Sequence, residues 1–118
     1  MKVVYISSPY SIGDQAANVR RQIVAAHVVM DLGHAPVAPL LTHYLHIHRP
    51  RPYEEWMAVD LKLVEKADVV WRLPGDSRGA DREVSRARER GIRVVSSTFE
   101  LVEALGLALE SGQYPATP

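Results

Sequence analysis

Two acidic residues depart from the patterns around them. Over Tyr53 to Lys66 a helical period places Trp56, Met57, Leu63, Val64 and Ala67 on one apolar stripe. Glu54, Glu55, Lys62, Glu65 and Lys66 take the opposite face, yet Asp60 falls near the centre of the stripe. Burying an unpaired carboxylate costs several kcal/mol, so Asp60 must be paired, protonated or turned into a cleft. An aspartate that ties down a loop through backbone N–H groups is the plainer alternative. On the next helix Ala80, Val84 and Ala87 define the inner stripe and Glu83 lies at its edge. There the positive end of the helix dipole favours an ionised carboxylate. Spacing leaves two readings of Glu83 open: a site acid, or half of an exposed i,i+3 pair with Arg86. Asp81 reads as a surface acid that complements the dipole.

The turns beside these acids are polar. In RLPGDSRGADREV, Arg72 to Val84, Gly75 and Gly79 bracket a turn that opens a helix. The stretch lacks the spacing and the lysine of a P-loop, but N–H groups at a helix start can hold an anion or a ribose hydroxyl. SSPYSIGD sets Ser7, Ser8 and Ser11 ahead of another helix start, with Asp14 as its N-cap and no arginine close to the serines. His43, His46 and His48 are spaced H-x-x-H-x-H, which fits no standard metal-ligand set, and no HExxH is present. No metal site is expected; the histidines read as surface or substrate contacts. Tyr44, Tyr53 and Trp56 could stack on a planar ring, or simply fill core.

Strands alternating with helices must position these groups. Val3 to Ile6 reads as a buried strand, and Val19, Ile23, Ala26 and Met30 mark the inner face of a helix stopped by Gly33. Ala35 to Ala38 is a second strand, followed by an irregular, proline-rich LLTHYLHIHRPRP. Then come the helix of Asp60, a strand at Asp68 to Arg72, the helix of Glu83 ending near Gly91, a strand at Ile92 to Ser96 and a helix at Thr98 to Leu109. This order predicts an α/β fold: a three-layer sandwich, Rossmann-like or flavodoxin-like, with a mainly parallel sheet of four or five strands and helices on both faces. Residues 1–110 form one domain, and 111–118 are a flexible or interface-docked tail. In such sheets ligands bind beyond the carboxyl ends of the strands, where the polar turns lie.

Composition narrows the partners. The chain has 118 residues, 47% hydrophobic and 24% charged, with 14 basic and 14 acidic residues. That balance argues against a nucleic-acid polymer as partner, while leaving room for a small anion at a local site. The absence of cysteine excludes disulfides, thiolate chemistry and cysteine-based zinc sites. No signal peptide or membrane-spanning stretch is read, so a cytoplasmic protein is expected.

Taken together, the segments resemble the nucleoside 2-deoxyribosyltransferase family and its relatives that hydrolyse nucleoside 5′-monophosphates. The likeness runs from Tyr5 to about Val95 and rests on VVYISSPY, on PLLTH, on DLKLVEKADVV as a form of D-L-x-x-I-x-x-x-D, and on SRGADRE as a form of [D/S]-x-G-x-x-x-E. The resemblance implies that Glu83 is a nucleophile forming a covalent glycosyl intermediate, with Tyr5 orienting it and Asp60 acting as acid/base or orienting carboxylate. It implies substrate contacts at Ser7, Ser8, His43, Trp56, Ser77 and Gly79. The transferases carry aspartate where Ser77 stands, which leans this chain towards the hydrolases, and His43 replaces their base-reading glutamine. No cofactor is implied. The partner would be a small nucleoside or nucleotide, and the chain would form a homodimer or larger homo-oligomer with shared sites, for which the tail around Tyr114 is a candidate. The reading of a different class is a non-catalytic nucleotide-binding or sensing module on the same fold.

Overall fold

A computed structural model describes all 118 residues. Four parallel strands form one sheet: β1 (Val3–Ser7), β2 (Ala35–Val37), β3 (Val69–Arg72) and β4 (Arg93–Val95), in the order β2-β1-β3-β4. Five α-helices accompany them: α1 (Gln15–Asp31), α2 (Thr42–His48), α3 (Tyr53–Glu65), α4 (Arg78–Glu89) and α5 (Thr98–Ala104). The expected α/β sandwich is therefore present, with four strands.

Strand alternation builds a core on each face of the sheet. Val4, Ile6, Val69, Trp71 and Val95 point to one side and pack with Ala25 and Val29 of α1 and Leu101 of α5. Tyr5 and Val70 point to the other side and pack with Val64 of α3 and Ala87 of α4. From β1 the chain turns to α1 on the first face, and from β3 it turns to α4 on the second. The crevice at the carboxyl ends of β1 and β3 is thus a topological switch point, where ligands of open α/β sheets bind. No helix is long and apolar enough to cross a membrane.

Three local expectations are corrected. First, the buried positions of α1 are Val19, Gln22, Ala25 and Val29, while Met30 is exposed. The helix is rotated from its apolar period because Gln22 satisfies three groups at the sheet's end, as described below. Second, the proline-rich segment is not irregular throughout: Pro39–Leu41 forms a 3₁₀ turn and α2 follows directly. Thr42 Oγ1 donates to Pro39 O (2.7 Å) across this junction. The helix stops at Arg49, whose extended backbone suits a residue preceding proline. Third, α5 ends at Ala104 rather than Leu109. Gly106 takes a positive φ of 73°, and Leu107 N–H returns to Val102 O (3.1 Å), a Schellman closure that cannot continue as helix.

Candidate active site

The site is assembled from the second face of the sheet upward. Tyr5 and Ser7, two residues apart on β1, point the same way, and both are fully buried. Above them α4 presents Glu83, which is 5% exposed. The Tyr5 phenol donates to Glu83 Oε2, and Ser7 Oγ donates to Oε1 at 2.8 Å. A carboxylate held on both oxygens has little rotational freedom. Of the two sequence readings of Glu83, the surface pair with Arg86 is overturned: Arg86 bonds Glu65 and Glu89 on the outer side.

The electrostatics of the pair follow from burial. Removal from water pushes the Glu83 carboxyl up to about 7, opposed by the Tyr5 and Ser7 hydrogen bonds and the Arg72 charge. Desolvation and then the charge of Glu83 push Asp60 to about 7 as well. Tyr5 is raised by burial and by both neighbouring acids, so it remains a neutral donor. Asp60 projects from α3 in line with Met57 and Val64, as its place in the stripe predicts, and its Oδ1 is buried with no hydrogen-bond partner. Glu83 receives two donors and Asp60 Oδ1 none, so the shared proton belongs on Asp60. Near neutrality the arrangement is one ionised acid and one proton carrier.

Both acids line a cleft of about 680 Å³. Its walls include Ser8, His43, Trp56, Ser77 and Gly79, five of the six expected contacts. Ser7, the sixth, is not on the wall: it lies behind Glu83 and serves that carboxylate instead. Ser77 also N-caps α4, accepting from Ala80 N (3.1 Å). Gly79 brings α4 close to α3; a Cβ there would stand 3.1 Å from Met57 Cε and 3.3 Å from Tyr53 Oη. His43 shares a hydrogen bond with the Tyr10 phenol and meets its ring edge-on. His46 Nδ1 accepts from Trp56 Nε1 (2.8 Å), fixing the indole on the wall. No three His, Cys, Asp or Glu side chains converge on a metal position.

Several contributors escape a reading by period or motif. Arg72 bonds the carbonyls of Leu73 and Gly75 and pairs with Asp81 at 3.3 Å, bracing the β3–α4 turn. Its place opposite Ser7 in the β1–β3 register, two residues after Val70, is the signal that could have found it. The cleft that Ser8 and Ser11 line also contains Arg51 and Arg78, so two cations share it with the serine segment. They arrive from other segments, and linear distance from Ser7 and Ser8 hides them. Gln22 lies off the apolar period of α1, and only the rotated helix of the structure turns it inward.

The comparisons agree with the architecture. A solved structure of a 2-deoxyribosyltransferase from the psychrotolerant bacterium Bacillus psychrosaccharolyticus is similar over 98% of each chain, with a TM-score of 0.57 and 18% identity. At that identity the likeness is one of fold. No curated protein matches the chain. A family model does match, over residues 2–97, and by it the chain belongs to the family described as Domain of unknown function (DUF7768).

Proposed function

We propose that the chain cleaves the N-glycosidic bond of a (deoxy)nucleoside or a nucleoside 5′-monophosphate through a covalent intermediate on Glu83. The observation that carries this reading is the Glu83 carboxylate, fixed by Tyr5 and Ser7 at a cleft that also holds the unpartnered acid Asp60. A structural neighbour described as a 2-deoxyribosyltransferase supports the class of reaction.

In the first step a Glu83 oxygen forms a bond to C1′ as the C1′–N bond breaks. The bonding pair leaves with the base, which takes the proton of Asp60. The transition state has oxocarbenium character, so the ionised carboxylate stabilises it before the new bond is complete. In the second step the deprotonated Asp60 removes a proton from water or from a second base. That nucleophile attacks C1′, and Glu83 departs as a carboxylate. Trp56 and His43 supply ring faces and edges for a planar base, and Ser77 and Gly79 border the sugar.

Chromatography of base released from a panel of nucleosides and 5′-monophosphates tests the proposal, with and without an added second base. Release by the wild type and its loss in Glu83→Ala are expected, and an exchange product appearing only with added base marks a transferase. Binding without turnover in both proteins would replace the reading with a sensing module.

A further inference from the structure

Gln22 occupies a core position of α1 and is 1% exposed. Its Nε2 donates to Ile6 O at 3.1 Å and to Ser8 Oγ at 2.8 Å, and its Oε1 accepts from Leu40 N at 2.8 Å. Both amide protons are used, and the amide has one allowed orientation. Reversing it would set an NH₂ against the Leu40 N–H and an oxygen against the Ile6 carbonyl. Ser8 Oγ is therefore an acceptor towards Gln22, and its own proton must point elsewhere. Ser8 and Leu40 both line the cleft that holds Glu83 and Asp60, so one buried amide ties the turn after β1 to the turn after β2.

We propose that Gln22 is a positioning residue that commits Ser8 to donate its hydroxyl proton to the substrate. The place opposite Ser8 is thereby reserved for a hydrogen-bond acceptor: a phosphate oxygen, or an oxygen or nitrogen of the sugar or base. A ligand group able only to donate is excluded there, because it would face the Ser8 proton and leave a buried polar atom unpaired. The inference rests on the glycosidic reading of the cleft and deepens it by assigning the polarity of one wall.

Steady-state kinetics of Ser8→Ala, Ser8→Thr, Gln22→Met and the Gln22→Met/Ser8→Ala double variant test it on nucleosides and 5′-monophosphates. Ser8→Ala is expected to raise KM about tenfold with kcat within about twofold of wild type, the size of one lost hydrogen bond to substrate. Gln22→Met should do the same, the double variant should be no worse than either, and Ser8→Thr should restore KM. Losses that multiply in the double variant, or a Gln22→Met effect on kcat and Tm with KM unchanged, overturn the proposal. Should Gln22→Met fail to fold, Gln22→Glu answers in its place. Protonated by its burial, the carboxyl keeps an acceptor for Leu40 N–H and one donor for Ile6 O, and its hydroxyl oxygen accepts the Ser8 proton, so its KM should match that of Ser8→Ala; an unchanged KM overturns the proposal.

A Ser8→Ala penalty confined to 5′-monophosphates identifies a phosphate oxygen as the acceptor, and an equal penalty on nucleosides places it on sugar or base. If the wild type releases no base, the glycosidic reading fails separately. The same variants are then compared by calorimetric titration with a nucleoside 5′-monophosphate, where equal, non-additive losses of affinity sustain the inference and absence of binding by wild type overturns it.

Discussion

Tyr5 and Glu83, 78 residues apart in sequence, meet in a buried hydrogen bond in which the phenol of β1 donates to the carboxylate of α4. Burial keeps the tyrosine protonated, so it has a proton to donate to the carboxylate. The bond both orients Glu83 and lowers its pKa against the desolvation that raises it. Tyr5→Phe should reduce kcat/KM by about tenfold to a hundredfold, the span of a lost hydrogen bond to a charged group. It should also move the acidic limb of the pH–rate profile upward. An unshifted limb would mean that the phenol only fills space.

Glu83 and Asp60 are each raised to about 7, so the form with one proton between them is most populated near neutral pH. Activity is expected to peak there and to fall on both sides, as protonation removes the nucleophile below and ionisation removes the proton donor above. A kcat/KM profile from pH 5 to 9 checks this, and a plateau extending to high pH would remove Asp60 from the leaving-group step.

The same shift bears on stability. The Glu83 pKa is raised in the folded chain, so the folded state binds the proton more tightly than the unfolded one. Stability from this group is full below the unfolded carboxyl range and is lost as pH rises towards about 7. Glu83→Gln removes the charge and keeps one acceptor oxygen for Tyr5, while its NH₂ can donate to Ser7 Oγ, whose proton then turns to Ala80 O (3.3 Å). At pH 8 it should therefore be more stable than wild type by on the order of 1–3 kcal/mol. The gap should close near pH 4–5, on the order of the unfolded carboxyl pKa. Thermal unfolding of both proteins across this range gives the answer, and a gap independent of pH would assign the effect to packing.

Asp60→Asn removes the proton donor while preserving shape. A decrease in kcat of about 10²–10⁴ is expected, in the range of general acid catalysis. The decrease should be smaller for nucleosides whose base is a better leaving group, since they need less protonation. Equal losses across a leaving-group series would make Asp60 an orienting residue.

Gly75 sits between the strand of Arg72 and the helix of Glu83 with φ at 116°, and a Cβ there would lie 2.8 Å from Pro9 Cγ. Gly75→Ala should destabilise the chain by about 1–3 kcal/mol through backbone strain and contact with a ring that has little freedom to move. Urea unfolding measures the loss. A neutral substitution would show that the two turns above β1 and β3 are free to separate.

Much of this chain is written in local patterns. The alternation of strands and helices, the Asp14 cap and the misfit of Asp60 on its stripe are consequences of periods that act within a few residues, and the structure repeats them. The long-range pairings are different. Glu83 at the edge of a helical stripe fits a surface ion pair as well as a buried carboxylate, until the β1–β3 register brings Tyr5 and Ser7 beneath it. In sequence Ser7 reads as a substrate contact in a turn; as the last residue of β1 its direction is set by the pleat, which turns it to Glu83. Gln22 lies off the apolar period of its helix, and its inward place is set by three backbone and hydroxyl groups from elsewhere in the chain. Arg51, in the turn before α3, and Arg78, the first residue of α4, join one cleft because α3 and α4 pack side by side. Local periodicity determines which residues share an element and a face. Crossover connections decide which faces meet, and with them which polar groups find partners once water is gone.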